Sequence, residues 1–567
     1  MKLFKKQVYI ILYSISILAI YSGCKRVETE PRDWIQSDLV WDEKDRNATV
    51  AGFFLNSVYT YIPGGFNRIG GDYLDAASGD AIPSRLNTSV EFYTNGRVSV
   101  INNPDAYWGS SYAGIRAANI FLANIDKVPM ADITKQYWKA EARYIRALMY
   151  FELLKRYGGV PLVGDKIFTV EDNLELPRNT YAECVTYIVT ECDAIKDNLR
   201  SEKGANYGTN DWGRIAKGAA LALKTRVYLY AASPLFNGGG FEADATKKAL
   251  TGYPTADPTR WQKVIESSEE LMGLTFYALQ PSFINTFIVN KNTEVILSKQ
   301  GGTNFSVETN NAPVGFGTPA LSNGRTSPTA DFANAFPMNN GLDINAPGSG
   351  YNAANPYANR DPRLTSTLFF NGTTWLRRAV QTFDGGLDKP GGTAVQTRTG
   401  YYLRKFMADF SNNTTYTNQY HNFVLFRYAE VLLSYAEALN EVGRTEDAVT
   451  QIKAIRARAG IQAGTNTRYG IAEGISQTDL RTLIRNERRI ELAFEEHRFW
   501  DVRRWKIAPE TLNRTVNGTK ITRNADNSFT YQDVPVANLS FTNKLYHMPI
   551  PYSETTKNSK LIQNEGW

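Results

Sequence analysis

The sequence contains few of the residues that bind metals or form disulfide bonds. It has three cysteines and three histidines among 567 residues, and His421, His497 and His547 are scattered without a His-Glu-x-x-His arrangement. Cys184 and Cys192 lie eight positions apart in a predicted helix, about 12 Å along its axis, which exceeds the reach of a disulfide. We therefore predict two buried, reduced thiols, no metal site and no cofactor.

The motifs of common catalytic sites are also missing. No nucleophile elbow, P-loop or dinucleotide-binding glycine motif is present, and no run of five or more like charges occurs. Nucleic-acid binding therefore has no electrostatic basis here. The paired carboxylates of a glycosidase are defined by separation in space, so that class stays open as an alternative. We predict a protein that is not an enzyme and does not bind nucleic acid.

Only one long apolar run is present, Val8–Ile20, and it is shorter than the roughly 20 residues that span a bilayer. Three lysines precede it, and small residues followed by Cys24 come after it, which is typical of a secretory signal ending in a bacterial lipobox. We predict that residues 1–23 are removed and that Cys24 is acylated, so that residues 24–40 form a lipid-anchored tether. An ordinary signal with a chance cysteine is the alternative.

Apolar residues recur with helical spacing through much of residues 41–567, which we predict to form a single, mainly α-helical domain. The predicted helices cover residues 110–126, 134–157, 180–199, 211–233, 261–273, 424–442, 445–460 and 478–505. Small residues in and between the helices at 424–442 and 445–460 fall at tetratricopeptide-repeat spacing. We expect successive helices to form hairpins. The arginines and glutamates of residues 478–505 are expected to pair three and four positions apart on a solvated face.

Two regions, about 61–109 and 275–420, are rich in Gly, Asn, Thr and Pro and interrupt the helices. Their aromatic content argues against disorder, and long ordered loops on a helical body are the usual place for a binding surface. Aromatic rings beside polar side chains would suit a sugar, which has apolar C–H faces and a rim of hydroxyls. The candidate ligand-binding residues are Asp72, Tyr73, Asp75, Phe305, Phe316, Trp375, Arg377, Tyr401 and Tyr402. Alanine at Trp375 or Tyr73 is expected to weaken binding without lowering thermal stability.

Five ordered segments resemble the SusD/RagB family of outer-membrane lipoproteins. They are RYIRALMYFELLKRYGGVPL at 143–162, KGAALALKTRVYLYAASP at 217–234, RYAEVLLSYAEALNE at 427–441 with IRARAG at 455–460, ERRIELAFEEHRFWDVRRW at 487–505, and the closing MPIP at 548–551 with QNEGW at 563–567. The departures are small: Asn558-Ser559 stands where Asn-Pro is usual, and Trp567 where Tyr is common.

The resemblance implies a SusD-like fold built on tetratricopeptide-like helix pairs with large loop-rich insertions and short β pieces. It further implies surface exposure on the outer membrane and capture of an oligosaccharide for a SusC-like TonB-dependent transporter. Peptide capture, as in some members of the family, is the alternative within the binding class. The matching segments belong to the scaffold, so the resemblance assigns no binding residue.

Overall fold

The computed structural model describes residues 37–203, 207–208, 211–316, 322–391 and 396–567. The predicted signal peptide, Cys24 and the tether up to residue 36 lie outside the described residues. The α-helices are α1 (Ser37–Val40), α2 (Thr49–Tyr59), α3 (Trp108–Asn124), α4 (Asp132–Tyr157), α5 (Tyr181–Ile195), α6 (Lys217–Ala232), α7 (Ala245–Thr251), α8 (Arg260–Met272), α9 (Asn285–Ile288), α10 (Ser306–Asn311), α11 (Ala330–Ala335), α12 (Pro362–Thr367), α13 (Tyr428–Glu441), α14 (Thr445–Ala459), α15 (Gln477–Glu491), α16 (His497–Arg504), α17 (Ala508–Leu512) and α18 (Tyr552–Thr555).

The strands are short and pair in antiparallel twos. They are β1 (Ala81–Pro83), β2 (Val295–Lys299), β3 (Thr303–Asn304), β4 (Thr326–Pro328), β5 (Leu368–Phe369), β6 (Thr374–Trp375), β7 (Arg378–Ala379), β8 (Tyr402–Leu403), β9 (Gln419–Tyr420), β10 (Phe423–Arg427), β11 (Thr515–Arg523) and β12 (Phe529–Asn538). The pairs are β1–β4, β2–β10, β3–β9, β5–β8, β6–β7 and β11–β12. Among the described strands, only β11 and β12 form a long ribbon, with a bulge between Val516 and Asn517.

The longer helices form a row in which each contacts the next, here called the helical layer. In this row α3 contacts α4, α4 contacts α5, α5 contacts α6, α6 contacts α8, α8 contacts α13, and α13 contacts α14 and α15. The expected hairpin pairs are therefore confirmed. Small buried residues let α6 approach its neighbours closely, among them Ala219, Ala220 and Ala222. Cys184 and Cys192 are buried free thiols on α5, as predicted.

Local sequence explains several helix ends. Thr180 and Glu183 form a reciprocal capping box that begins α5. Gly158 ends α4 with a φ of 78°, and Gly460 ends α14 with a φ of 85°, a backbone conformation that glycine adopts without a steric penalty. These ends stop each helix at the point where the chain must turn back onto its neighbour.

Three predicted helices differ from the observed ones. The helix predicted over 211–233 begins only at Lys217. The helix predicted over 424–442 begins only at Tyr428, because residues 423–427 pair with β2 as β10. The helix predicted over 478–505 is two helices, α15 and α16, separated at residues 492–496. Phe494 and Glu496 in this link have φ of 60° and 63°, which no α-helix accommodates. The break turns consecutive glutamates toward different partners: Glu495 pairs with Arg427, and Glu496 with Arg68.

The loop-rich regions form a second layer, here called the loop layer, with a hydrophobic core of its own. Its buried residues come mainly from residues 283–424, joined by Tyr73, Ala81 and the Ile490–Phe494 segment. Phe332, for example, lies edge-on to Phe494, with ring centroids 5.7 Å apart. The loop layer is therefore packed against the helical layer around the link between α15 and α16.

A buried network of ion pairs connects the two layers. It contains five cations and five carboxylates: Arg363, Lys405, Arg427, Arg456, Arg458, Glu294, Asp361, Glu487, Glu491 and Glu495. Arg427, at the end of β10, lies 2.7 Å from each of Glu294, Glu491 and Glu495. The expected pairing along a solvated face of residues 478–505 is therefore wrong for Glu487, Glu491 and Glu495, whose partners come from other elements.

Glu491 is the most connected carboxylate of the network, since it accepts from Arg363, Arg427 and Arg458. Burial alone would raise its pKa, but the arginines outweigh burial and hold the pKa well below its ordinary value. The network has equal numbers of positive and negative groups. Each buried charge is thereby compensated, which burial requires.

We expect Glu491→Gln to lower the free energy of unfolding by about 3–5 kcal/mol, because it leaves buried guanidinium charge without its counter-ion. Urea and thermal unfolding followed by circular dichroism measure the loss. Glu446→Gln is the matched control: Glu446 is 62% exposed in its pair with Arg468, so its removal changes stability by less than about 1 kcal/mol. Equal, small losses for both variants would show that the network does not stabilise the fold.

Candidate functional site

The β1–β4 ribbon joins the two loop-rich regions that the sequence separates. Ala81 pairs with Pro328 and Pro83 with Thr326. Beyond the ribbon, the backbone N–H of Ser84 donates to the carbonyl of Arg325 at 2.7 Å. This pairing brings Arg85 and Arg325 to the same edge of the loop layer.

The two arginines lie over the Gly70-Gly71 turn beside one carboxylate. Arg85 donates to the carbonyl of Gly70 at 2.9 Å and to Asp72 at 3.2 Å. Gly71 has a φ of 93°, and a Cβ there would lie 2.1 Å from Nη1 of Arg325, so only glycine leaves room for this guanidinium. Burial raises the pKa of Asp72 to about 6 against the opposing effect of Arg85.

Arg325 has no carboxylate of its own. It is half-buried, its side chain makes no hydrogen bond with any described residue, and its Nε is buried without a partner. Burial and the neighbouring Arg85 both lower its pKa. A guanidinium with free N–H groups at a partly open surface is suited to donate to an oxygen-rich ligand.

Helix α10 connects this arginine pair to two exposed aromatic rings. At its C-terminal end, the carbonyl of Asn310 accepts from the backbone N–H of Arg325 at 3.0 Å. At its N-terminal end lies Phe305, 42% exposed, and the adjoining β3–β9 pair carries Tyr420, 40% exposed. Six helical residues span about 9 Å, so the rings and the guanidinium groups are separated by roughly that length.

Helix α10 turns one polar face outward. Ser306 is exposed and Thr309 and Asn310 are half-buried, whereas Val307 and Asn311 are buried. Asn311 is held by reciprocal amide bonds to Asn67, which also donates to the carbonyl of Gly71. We define the α10 surface by five residues: Arg85, Phe305, Asn310, Arg325 and Tyr420. Asp72 is buried beneath it and pairs with Arg85.

Most of the predicted aromatic site residues are not at this surface. Tyr73, Phe316, Trp375, Tyr401 and Tyr402 are all buried in the core of the loop layer. The expectation that they form exposed platforms is wrong. The loop layer has few long helices, so its own aromatic side chains supply the apolar surface that its core requires.

Each of these rings has a packing partner inside the layer. Trp375 lies edge-on to Phe369 and Phe410, with ring centroids 5.0 and 5.5 Å apart. Tyr73 stacks on Phe406 at 6.0 Å. The hydroxyl of Tyr402 donates to the carbonyl of Asp388.

Tyr401 and Phe316 also contact neighbouring residues inside the protein. The hydroxyl of Tyr401 lies 2.9 Å from that of Thr519. The ring of Phe316 lies under the guanidinium of Arg378, 3.7 Å from its centroid. Both rings therefore contribute to the packing of the loop layer.

The two predicted aspartates have different environments. Asp72 lies beneath the α10 surface, buried and paired with Arg85. Asp75 is fully buried, and one of its oxygens accepts from the backbone N–H of Phe494 at 3.2 Å. Burial, together with Glu496 and Asp80, raises the pKa of Asp75 to about 8. Asp75 thus supports the link between α15 and α16 instead of facing solvent.

Phe305 and Arg377 are the two predicted residues that are exposed. Arg377 sits in the tight β6–β7 turn with a φ of 60°, and its Nε donates to the carbonyl of Asn412. Phe305 contacts Tyr416, with ring centroids 5.8 Å apart. Both residues therefore border the segment 410–418, and Phe305 alone belongs to the α10 surface.

Sequence reasoning missed Arg85, Asn310, Arg325 and Tyr420. Each lies within the two loop-rich regions, and that position is the only signal in the sequence that pointed toward them. No motif links Arg85 to Arg325, because their proximity arises from strand pairing between distant segments. Within the described residues, no cluster of three or more His, Cys, Asp or Glu side chains could hold a metal ion. In the same part of the chain, no helix is both long and apolar enough to cross a membrane.

The protein is a mainly α-helical repeat protein whose loop layer carries the α10 surface. Two family models match this chain: "SusD family" over residues 293–567, and "Starch-binding associating with outer membrane" over residues 43–229. The chain belongs to the SusD/RagB family. The mainly α fold with tetratricopeptide-like hairpins and short β pieces, which the sequence resemblance implied, is confirmed.

Individual relatives agree with this assignment. A SusD-like protein of Formosa agariphila is 23% identical over 500 residues, covering 83% of this chain and 84% of that protein. A SusD-like protein of Bacteroides fragilis has a TM-score of 0.76 at 27% identity, covering 94% of this chain and 99% of the other. A SusD-like carbohydrate-binding protein of the same species has a TM-score of 0.70 at 25% identity, covering 91% and 99%.

We expect Trp375→Ala to lower the free energy of unfolding by about 3–5 kcal/mol, because it opens a cavity among buried aromatic rings. This reverses the expectation drawn from the sequence. Phe305→Ala is the matched control and should change stability by no more than about 0.5 kcal/mol, since its ring is partly in solvent. Denaturant unfolding measures both. A stable Trp375→Ala variant would contradict the assignment of Trp375 to the core.

Proposed function

We propose that this protein binds an oligosaccharide at the α10 surface without transforming it, and passes it to a SusC-like TonB-dependent transporter of the outer membrane. The observation that carries the proposal is the combination at one surface of two exposed rings, Phe305 and Tyr420, with the unpaired guanidinium of Arg325. The carbohydrate-binding relative of Bacteroides fragilis and the starch-binding family description support a glycan as the ligand.

The chemistry of the surface matches a sugar in two respects. The rings offer apolar faces for the C–H face of a sugar ring, and burial of that contact is favourable in water. Arg85 and Arg325 supply donors for hydroxyl groups. The amide of Asn310 adds a further polar group between the two ends.

A binding role without catalysis is supported by the charges at the surface. Glycoside hydrolysis uses two carboxyl groups that flank the scissile bond. None of the five residues of the α10 surface carries a carboxylate, and the nearby Asp72 is buried and paired with Arg85. This arrangement suits recognition of hydroxyl groups better than proton transfer.

Delivery depends on where the protein is held. The proposed acylation of Cys24 and the tether through residue 40 would keep the α10 surface beside a transporter at high effective concentration. The family description of association with the outer membrane supports this location. A weak single site is then sufficient for capture.

We expect Phe305→Ala and Arg325→Ala each to weaken oligosaccharide binding, Phe305→Ala by about 1–3 kcal/mol by analogy with base stacking, or roughly 5- to 150-fold in Kd. The probes are maltoheptaose, laminarihexaose and a panel of other plant and algal oligosaccharides, titrated calorimetrically into the chain from Lys25 onward. Phe53→Ala is the matched control, because Phe53 is 65% exposed on α2 outside the α10 surface.

Unchanged affinity of Phe305→Ala and Arg325→Ala would place the binding site elsewhere. Binding of a peptide library with no response to any glycan would instead support peptide capture. Turnover of an oligosaccharide, abolished by one Asp or Glu substitution, would support a glycosidase.

We expect Cys24→Ala to release the protein from the membrane fraction, because the acyl chains that anchor it would be absent. Binding in solution should survive in this variant, whereas uptake of the oligosaccharide by cells should fail. Fractionation with immunodetection, together with an uptake assay, measures both. Unchanged membrane association would contradict acylation at Cys24.

A further inference from the structure

An open cavity with a mainly apolar lining and a few polar side chains lies beside the start of the loop that leads to Phe305. It has a volume of about 390 Å³ and lies between α2, the segment 211–214 and the end of β2. This volume falls within the range of about 300–1,000 Å³ that small-ligand pockets occupy. Trp212, half-buried, forms an aromatic wall.

The wall around Trp212 is rigid. Arg214 donates to Glu141 from Nε at 3.1 Å, and the hydroxyl of Tyr59 donates to the same carboxylate at 2.9 Å. The hydroxyl of Tyr59 in turn accepts from the backbone N–H of Ile215 at 3.0 Å. The charge of Arg214 is therefore compensated inside the protein, and the segment that carries Trp212 is fixed in place.

Three polar side chains that line the cavity, Asn56, Lys299 and Gln300, keep unused hydrogen-bonding groups. Gln300 lies against Gly213 and donates from Nε2 to the hydroxyl of Ser298 at 2.9 Å, which leaves its side-chain carbonyl without a partner among the described residues. Asn56 is exposed, and its amide bonds to no described residue.

Lys299 contributes a cation without a counter-ion. Its ammonium donates to the carbonyls of Thr60 at 2.9 Å and Ile62 at 2.6 Å, so one of its three N–H groups remains. It forms no ion pair with any described carboxylate. An aromatic wall with a free carbonyl, a free amide and an N–H donor is the same kind of surface as that around α10.

The cavity is within reach of a glycan held at the α10 surface. Gln300 and Phe305 are five residues apart, so their Cα atoms are separated by no more than about 18 Å. Gly302, just before β3, has a φ of 68°. One extended oligosaccharide is thus long enough to contact both places.

We propose that this cavity is a second saccharide subsite, which takes one sugar residue of an oligosaccharide that the α10 surface also holds. The sugar ring lies against Trp212, and its hydroxyls bond to Asn56, Lys299 and Gln300. This inference rests on the proposed function. Because two contacts on one ligand reinforce each other through effective concentration, the subsite gives a preference for long chains over short ones.

The test is a length series of the oligosaccharide that binds the α10 surface, from the disaccharide to the heptasaccharide, titrated into the chain from Lys25 onward. Trp212→Ala should lower affinity for the longest member by about tenfold or more and leave that for the disaccharide unchanged. Asn56→Trp, which fills the cavity from an exposed position of α2, should give the same loss. Ser57→Trp, next to it and exposed but outside the cavity, is the matched control.

If Trp212→Ala lowers the melting temperature, Asn56→Trp decides the outcome, since it removes no packing. If both variants bind oligosaccharides of every chain length like the wild type while Phe305→Ala still loses affinity, the subsite proposal is wrong. The proposed function then stands. If the wild type binds no glycan of any length, the proposed function and the subsite both fail. A uniform loss at all lengths in Asn56→Trp would also overturn the subsite, because it would signal damage to the α10 surface.

Discussion

The structure depends on the compensation of charge inside it. Arg427 ends a strand that pairs with the loop layer, and its guanidinium contacts carboxylates on both sides of the boundary between the layers. Buried ions are tolerated only when each is paired and hydrogen-bonded, so the two layers must meet in one register for the charges to match. An apolar boundary would let the two layers shift relative to each other, whereas the paired charges fix their relative position.

The same boundary positions the α10 surface. The break between α15 and α16 places Phe494 in the core of the loop layer and lets its N–H meet Asp75, two residues after the strongly packed Tyr73. Asp72 precedes these residues directly, and its buried carboxylate accepts a hydrogen bond from Arg85 of the α10 surface. Backbone contacts with the helical layer therefore position the loop residues that lie beneath the α10 surface.

The helical layer could be predicted from sequence, and the α10 surface could not. Helix α4 carries its own signals of apolar spacing and a glycine stop, which are local. The break after Glu491 has no such signal, because it is imposed by buried partners from distant segments. Loop aromatics were misjudged for a related reason: whether a ring such as Trp375 is exposed depends on what covers it, and its cover comes from residues remote in sequence.

The ribbon of β1 and β4 has a consequence for the order in which the molecule is built. About 240 residues separate its two strands, so a chain made from its N-terminus carries Asp72 and Arg85 long before Arg325 exists. Contacts of such long sequence separation form slowly, because closing the intervening chain loses entropy before any contact is gained. We therefore expect the α10 surface to be complete only late in folding, once the segments that carry Arg85 and Arg325 have paired.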